Sequence, residues 1–337
     1  WFDPTGLEQA TAEPVARHKA RRFAGSPVVD LCAGIGGDAV ALAAAGCRVV
    51  AVDRDPGMCR RVLWNAAVYE VSGGVLPARA RAEAFPIVPG ARVHIDPDRR
   101  AGGGARAKTL QAYVPGPEFL RALPGAARGG AVKLGPASDF DAHFGGEGVE
   151  IELISLGGEC KEATAWFGDL VTCRRRATTL PSGLTWTDRD GPAGAHAAEA
   201  PLGPWVFDPD PALVRSGLLD AFAVAHDLHR IAEGVSLLTG PGRVASALLA
   251  AFEVEDVLAL DLKRLRRLVS ERGLGPLEIK PKGVDLRPEL LRARLRPEGR
   301  RAATLLLVGG AGPARAILAR RHETGEGPPD PGGSAGA

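Results

Sequence analysis

The sequence predicts a doubly wound α/β sheet followed by a smaller α+β domain. Short apolar strand patterns alternate with helical ones from residue 28 onward. The first of them, Val28-Val29-Asp30-Leu31-Cys32-Ala33-Gly34-Ile35-Gly36-Gly37-Asp38, is a strand, an acid and a glycine-rich turn, and 39–45 continue it as a helix. The alternation then fades across a Gly/Pro-rich stretch at 182–204 and resumes in a compact unit.

Taken in order, residues 1–25 form an N-terminal helical segment. Leu7, Ala10, Val15 and Phe23 share one face, and Arg17, His18, Lys19, Arg21 and Arg22 form a basic cluster. The cluster reads as a solvated helix face, with a lid or an RNA contact as its other use. A second strand, Arg48-Val49-Val50-Ala51-Val52, ends in Asp53. Pro56 opens a helix over 56–69. A weak strand over 75–82 leads to Glu83-Ala84, and a strand over 92–95 leads to Asp96-Pro97-Asp98-Arg99-Arg100. Gly102, Gly103 and Gly104 then mark a loop. Strands are expected over 131–134, 149–156 and 174–180, and a short helix over 159–168. These elements make a domain over 26–186, with a linker over 187–204.

The second domain is expected over 205–321. Asp208-Pro209-Asp210-Pro211 caps a helix running to about Ala225. A basic helix (257–269), a strand (277–280), a helix (288–295) and strands at 303–308 and 316–318 follow. The Gly/Pro-rich tail, 322–337, has the composition of a disordered segment.

Composition narrows the class. Of 337 residues, 45% are apolar and 24% charged, an ordinary globular balance with room for two cores. The net charge of +2 excludes a general polycation. Cys32, Cys47, Cys59, Cys160 and Cys173 are odd in number and hold no C-x-x-C pair, so neither a disulfide framework nor a zinc site is expected. That usage, with no apolar run of membrane-spanning length, predicts a protein of the reducing cytoplasm without metal or membrane. Charge is uneven: residues 261–321 carry 16 Lys and Arg against 6 Asp and Glu, an excess of 10. That concentration is either an electrostatic footprint for phosphate backbones or an arginine-rich soluble surface.

The glycine turn and the two acids define a nucleotide site. Glycine lets the backbone bend sharply and lets a ligand approach, and the helix start presents free N–H groups. An acid at the tip of the second strand, about twenty residues beyond the glycines, suits ribose hydroxyls. Gly34-Ile35-Gly36-Gly37-Asp38-Ala39 also satisfies the dinucleotide pattern G-x-G-x-x-A. Asp30 argues otherwise, because a carboxylate just ahead of the loop repels a pyrophosphate and favours a cationic ligand.

Asp30-Leu31-Cys32-Ala33-Gly34-Ile35-Gly36-Gly37-Asp38 and Ala51-Val52-Asp53-Arg54-Asp55-Pro56 resemble the first two motifs of class I S-adenosylmethionine-dependent methyltransferases. With Leu7-Glu8-Gln9-Ala10-Thr11, Asp96-Pro97-Asp98-Arg99-Arg100, Arg176-Ala177-Thr178 and Glu278-Ile279-Lys280-Pro281-Lys282-Gly283-Val284-Asp285, the chain is similar over 5–321 to one bacterial family. Its members carry a Rossmann-like methyltransferase core and a C-terminal THUMP-like domain, and they are related to the trimethylguanosine synthase group. The resemblance implies S-adenosylmethionine as cofactor and RNA as partner, bound through 261–321.

It also implies a site. Asp30 and Cys32, with the backbone of Ala33, Gly34, Gly36 and Gly37, hold the methionine end. Asp53 takes the ribose, Arg54 flanks the adenine through its backbone, and Glu83-Ala84 meets the adenine edge. Enzymes that methylate base amino groups carry [Asp/Asn/Ser]-Pro-Pro-[aromatic] where this chain has Asp96-Pro97-Asp98-Arg99. Asp96 and Pro97 fit as acceptors of the target amine hydrogens. Asp98 replaces the second proline and Arg99 the stacking ring. An arginine can stack on a base or grip a phosphate, or else Arg99 and Arg100 pair with Asp96 and Asp98. Lys133 either lines the same crevice or is a structural charge. His94 reads as core or supporting, His143 as facing the cleft, and Trp166, Trp186 and Trp205 as packing anchors.

Methyl transfer to RNA, with a base nitrogen as the leading target, is therefore the expected activity. The alternatives are the same chemistry on a small molecule or protein, a non-catalytic RNA-binding protein, and an NAD(P)-dependent oxidoreductase.

Overall fold

The computed structural model describes residues 1–2, 10–88, 90–99, 110–310 and 312–322. Leu7, Arg100, the glycines at 102–104 and the tail from 323 lie outside the described residues. The chain divides into two compact units, Trp1–Thr187 and Asp188–Ala337.

In the first unit, helix α1 (Glu13–Phe23) precedes strand β1 (Pro27–Leu31). Helix α2 (Gly37–Ala44), β2 (Arg48–Asp53), helix α3 (Pro56–Val68), β3 (Val75–Arg79), β4 (Arg92–Ile95), helix α4 (Pro117–Ala126) and β5 (Gly129–Leu134) follow. A short helix α5 (Phe140–Phe144) leads to β6 (Val149–Leu156), β7 (Glu159–Gly168), β8 (Arg175–Leu180) and β9 (Leu184–Thr187). The sheet order is β3-β2-β1-β4-β5-β7-β6-β8-β9, with β1 to β5 mutually parallel. Crossing α-helices return each strand to the same edge direction, so the ends of β1, β2 and β4 open on one rim. That rim is where a doubly wound sheet places its ligand.

Helix α1 is shorter than the segment read as helical. Pro14 opens it, and Val15, Ala16, Ala20 and Phe23 are buried against the sheet core. Its basic cluster is not a solvated face. Lys19 is 1% exposed, and His18, Lys19 and Arg22 each meet buried carboxylates. Glu150 and Glu152 of β6 and Glu162 of β7 stand inside the protein and draw these cations inward. Only Arg17 and Arg21 face out.

Residues 159–168 form strand β7, not a helix. Gly157 and Gly158 hold φ values of 60° and 80°, the two left-handed positions of a tight hairpin turn. The chain therefore reverses after β6, and β7 inserts antiparallel between β5 and β6. Burial on both faces, Glu162 to Phe167, overrides the helical propensity of Glu-Ala-Thr-Ala. Residues 184–187, read as loop, form β9 and pair with Arg176–Thr179 of β8.

In the second unit, β10 (Trp205–Pro209), helices α6 (Pro211–Arg215) and α7 (Leu219–Ala225), β11 (His229–Arg230), β12 (Leu238–Gly240) and β13 (Leu249–Ala259) precede helix α8 (Leu262–Glu271). Strand β14 (Leu274–Lys282), helix α9 (Pro288–Leu295), β15 (Arg301–Val308) and β16 (Arg315–His322) complete it. The expected single helix to Ala225 breaks at Gly217, whose φ is 77°. The basic helix starts later than 257, because 257–259 extend β13 and the Asp261 side chain caps α8 by accepting the Arg264 N–H at 2.9 Å. The sheet order is β11-β12-β10-β13-β16-β15-β14. Leu265, Val269, Leu291 and Leu295 of α8 and α9 pack on one face, with Leu305 and Leu318. Val206, Phe252, Leu306 and Ile317 fill the other. No helix among the described residues is long and apolar enough to cross a membrane.

Candidate active site

One cleft at the rim of β1, β2 and β4 gathers most of the residues singled out in the sequence. It is lined by Asp30, Cys32, Ala33, Gly34, Gly37, Asp53, Arg54, Glu83, Asp96, Pro97 and Arg99. Gly36 and Ala84 are not among its lining residues. Gly36 serves the turn instead: it caps α2 at φ 89°, where a Cβ would lie 3.1 Å from Val62.

Asp30, one residue before the end of β1, is 1% exposed. Its Oδ1 accepts from His94 Nδ1 at 2.7 Å, while Oδ2 is buried without a hydrogen-bond partner. Burial pushes the Asp30 carboxyl above its ordinary value, against the pull of His94. A buried acceptor with nothing to accept costs about 1–3 kcal/mol, and a cationic ligand group in the cleft would remove that cost. Gly34 holds φ 54°, and a Cβ there would meet nothing within 4 Å, so the turn leaves open space beside it. Asp53 fixes the turn from β2: its Oδ2 accepts the Gly34 N–H at 2.9 Å and its Oδ1 the Asp55 N–H at 2.8 Å. Burial raises the Asp53 pKa while these N–H groups oppose it. The turn and the two strand-end acids thus fit a cofactor with a cationic end and a ribose.

Cys32 adopts φ 59°, in the left-handed region that a residue with a Cβ seldom visits. Burial, then the Asp53 carboxylate, pushes its thiol far up, so it remains a thiol and is no nucleophile.

The other half of the cleft begins at Asp96, just past β4. Lys133 of β5, 4% exposed, pairs with Asp96 Oδ2 at 2.6 Å and donates to Thr11 Oγ1 at 2.8 Å. Arg54 approaches Asp98 at 3.9 Å. Arg99 instead lines the cleft, with a guanidinium nitrogen 3.0 Å from where a Gly135 Cβ would stand.

Sequence reasoning missed what lies beneath. Thr11 donates to Asp38 Oδ2 at 2.6 Å. Asp38, in the first turn of α2, also meets Lys19 at 3.0 Å. Burial raises the Asp38 pKa, but Lys19, His94 and Lys133 together hold it well below its ordinary value. Lys19 further meets Glu162 at 2.9 Å and His94 Nε2 at 3.3 Å. Asp30 and Asp96 are therefore joined by unbroken polar contacts through His94, Lys19, Asp38, Thr11 and Lys133. The signal was in the sequence as α1's basic cluster, but its partners come from β6, β7 and α2, remote in the chain. His94 is supporting, as expected. Trp166 and Trp186 are buried packing residues and Trp205 is half-buried.

Sheet order, glycine turn and strand-end acids define a methyltransferase-type α/β site. A family model described as RNA cap guanine-N2 methyltransferase matches residues 25–87, and one described as THUMP domain-like matches 249–321. Two curated relatives, each described as an uncharacterized S-adenosylmethionine-dependent methyltransferase, come from Mycobacterium tuberculosis strains CDC 1551 and H37Rv. Each is 38% identical over 319 residues, covering 92% of this chain and 85% of the relative. A solved structure from Porphyromonas gingivalis W83, described as a candidate methyltransferase, shares the fold with a TM-score of 0.77 at 18% identity, over 95% of this chain and 83% of that one. The chain belongs to the S-adenosylmethionine-dependent methyltransferases, and S-adenosylmethionine is its cofactor.

Proposed function

We propose that the protein methylates RNA on a base nitrogen. The carrying observation is that Asp96-Pro97 shares one cleft with Asp30 and Asp53. Support for RNA comes from the partial match to the RNA cap guanine-N2 methyltransferase model, the THUMP-like match, and the cations of the second unit.

In this reading Asp30 receives the methionine ammonium, Asp53 the ribose hydroxyls, and the Cys32–Gly37 backbone the remainder of that end. Arg54 and Glu83 bound the adenine. When bound, S-adenosylmethionine supplies a methyl group on a sulfonium, already an activated leaving group. The chain's task is then position and proton acceptance. Asp96 Oδ1 and the Pro97 carbonyl accept hydrogen bonds from the target amine, and Asp96 takes its proton. Lys133 holds Asp96 Oδ2 and so fixes the rotamer. Arg99, in the place of an aromatic, stacks on the base or grips a phosphate.

The test is transfer of labelled methyl from S-adenosylmethionine to RNA, run beside small-molecule and protein fractions. Label in RNA is the expected outcome, and Asp96→Asn should slow it about 10²–10⁴-fold with cofactor affinity retained. Label confined to protein or small molecules would overturn the RNA assignment.

A further inference from the structure

Lys19 of α1 touches three acceptors: Asp38 Oδ1 at 3.0 Å, Glu162 Oε1 at 2.9 Å and His94 Nε2 at 3.3 Å. An ammonium has three hydrogens and no lone pair, so these contacts use all of it. Burial alone would strip the charge, but Asp38 and Glu162 hold the Lys19 pKa above its ordinary value. Asp38 and Asp30 raise the His94 pKa against burial and the repulsion of Lys19, but Nε2 faces a group that only donates, and so must present its lone pair. A proton on Nε2 would point at the ammonium, and the Asp38 Oδ1 on that side is 3.8 Å away, too far to accept it. The ring hydrogen sits instead on Nδ1, 2.7 Å from Asp30 Oδ1. This leaves Asp30, a residue of the cleft wall, with one oxygen engaged and the other, Oδ2, buried and unpartnered.

We infer that Lys19 is a positioning residue for the cofactor: it holds His94 as the neutral Nδ1–H tautomer, which fixes Asp30 with Oδ2 free for the ammonium of S-adenosylmethionine. The inference rests on the reading of Asp30 as the cofactor acid. The neutral tautomer matters because an imidazolium would set a full positive charge against Asp30 and compete with the incoming ammonium. A neutral N–H orients the carboxylate and leaves its charge for the ligand.

The experiment uses the whole chain. Long-range ¹H–¹⁵N NMR of the free protein reads each histidine's tautomer, and His94→Asn assigns the His94 signals by their loss. The expected result at neutral pH is a neutral ring protonated at Nδ1. A ring protonated at Nε2, or at both nitrogens, overturns the inference. Calorimetric titration with S-adenosylmethionine supplies the second readout. Lys19→Met should weaken binding about ten- to a hundredfold and favour the imidazolium at His94, because Asp38 and Asp30 already raise its pKa against burial and the repulsion of Lys19 is then gone. Unchanged affinity and tautomer in that variant overturn the role. Should Lys19→Met fail to fold, His94 itself decides. His94→Leu should lose affinity, and His94→Asn, whose amide N–H can stand where Nδ1–H does, should recover most of it. Equal losses in both overturn the hydrogen-bond mechanism. A wild-type chain with the expected tautomer whose affinity is insensitive to Asp30→Asn would instead overturn the reading of Asp30 beneath it.

Discussion

Both carboxylate oxygens of Asp53 accept a backbone N–H, one from the glycine turn and one from the start of α3. On the proposed reading the carboxylate that meets a ribose also fixes the turn, so its removal acts twice. Asp53→Ala should weaken S-adenosylmethionine by more than about tenfold in calorimetric titration, since each hydrogen bond to a charged group contributes about 1.5–3 kcal/mol. Its folded-state pKa is raised by burial, so binding through Asp53 should fall as pH drops towards that value. An affinity independent of both changes would remove Asp53 from the cofactor site. The acid at the end of β2 was legible in the sequence, because strand-end acids in such sheets have few other uses. The partners of Asp96 were not. Lys133 from the neighbouring strand meets it, because β4 and β5 run parallel in register His94 to Ala131.

Helix α1 is held to the sheet by ion pairs as well as by apolar contact. Arg22 meets Glu150 at 2.7 Å and lies 4.3 Å over the Trp166 ring. Glu152 accepts from His18, Trp166 and Thr178. Burial pushes the Glu152 pKa up, but His18 first, then Arg22 and Thr178, bring it down to about 2 from an ordinary 4.5. The folded value lies below the unfolded one, so this stability is complete above about 4.5 and is lost as pH falls through about 2. It amounts to on the order of 3 kcal/mol. Urea midpoints across that range should fall steeply for the wild type and less steeply for Glu152→Gln. Parallel acid curves would show the pairs to be energetically idle. The β6–β7 turn gives a second prediction at this scale. Gly158 holds φ 80°, so Gly158→Ala should destabilise by about 1 kcal/mol, or about 2–4 °C in Tm. No shift in a thermal melt would mean that the turn relaxes freely.

For the molecule as a whole, the charge of the second unit decides the RNA reading. The excess counted over 261–321 is partly offset within that unit. Lys280 and Lys282 both pair with Asp208, Arg301 with Glu255, and Arg320 with Glu253, acids that lie outside the counted span. Helix α8 retains outward cations, because Leu265 and Val269 face the core while Lys263, Arg264 and Arg266 are exposed. Replacing those three with glutamine should weaken RNA binding uniformly across sequences. The slope of log Kd against log salt should fall by about 2. An unchanged slope would move the RNA contact off this helix.

The sequence by itself determined the parallel α/β core, its glycine turn and the acids at Asp30 and Asp53. These are local signals, in which a strand, a bend and a helix start must occur in order within a few residues. Tertiary structure decided the rest. Residues 159–168 became a strand because the glycine turn and burial on both faces outweighed local propensity. The basic cluster of α1 became a set of buried ion pairs because its carboxylates arrive from β6, β7 and α2. A lysine and a carboxylate more than a hundred residues apart, such as Lys19 and Glu162, carry no mark of each other in the chain, and only the packing of α1 on the sheet brings them to 2.9 Å.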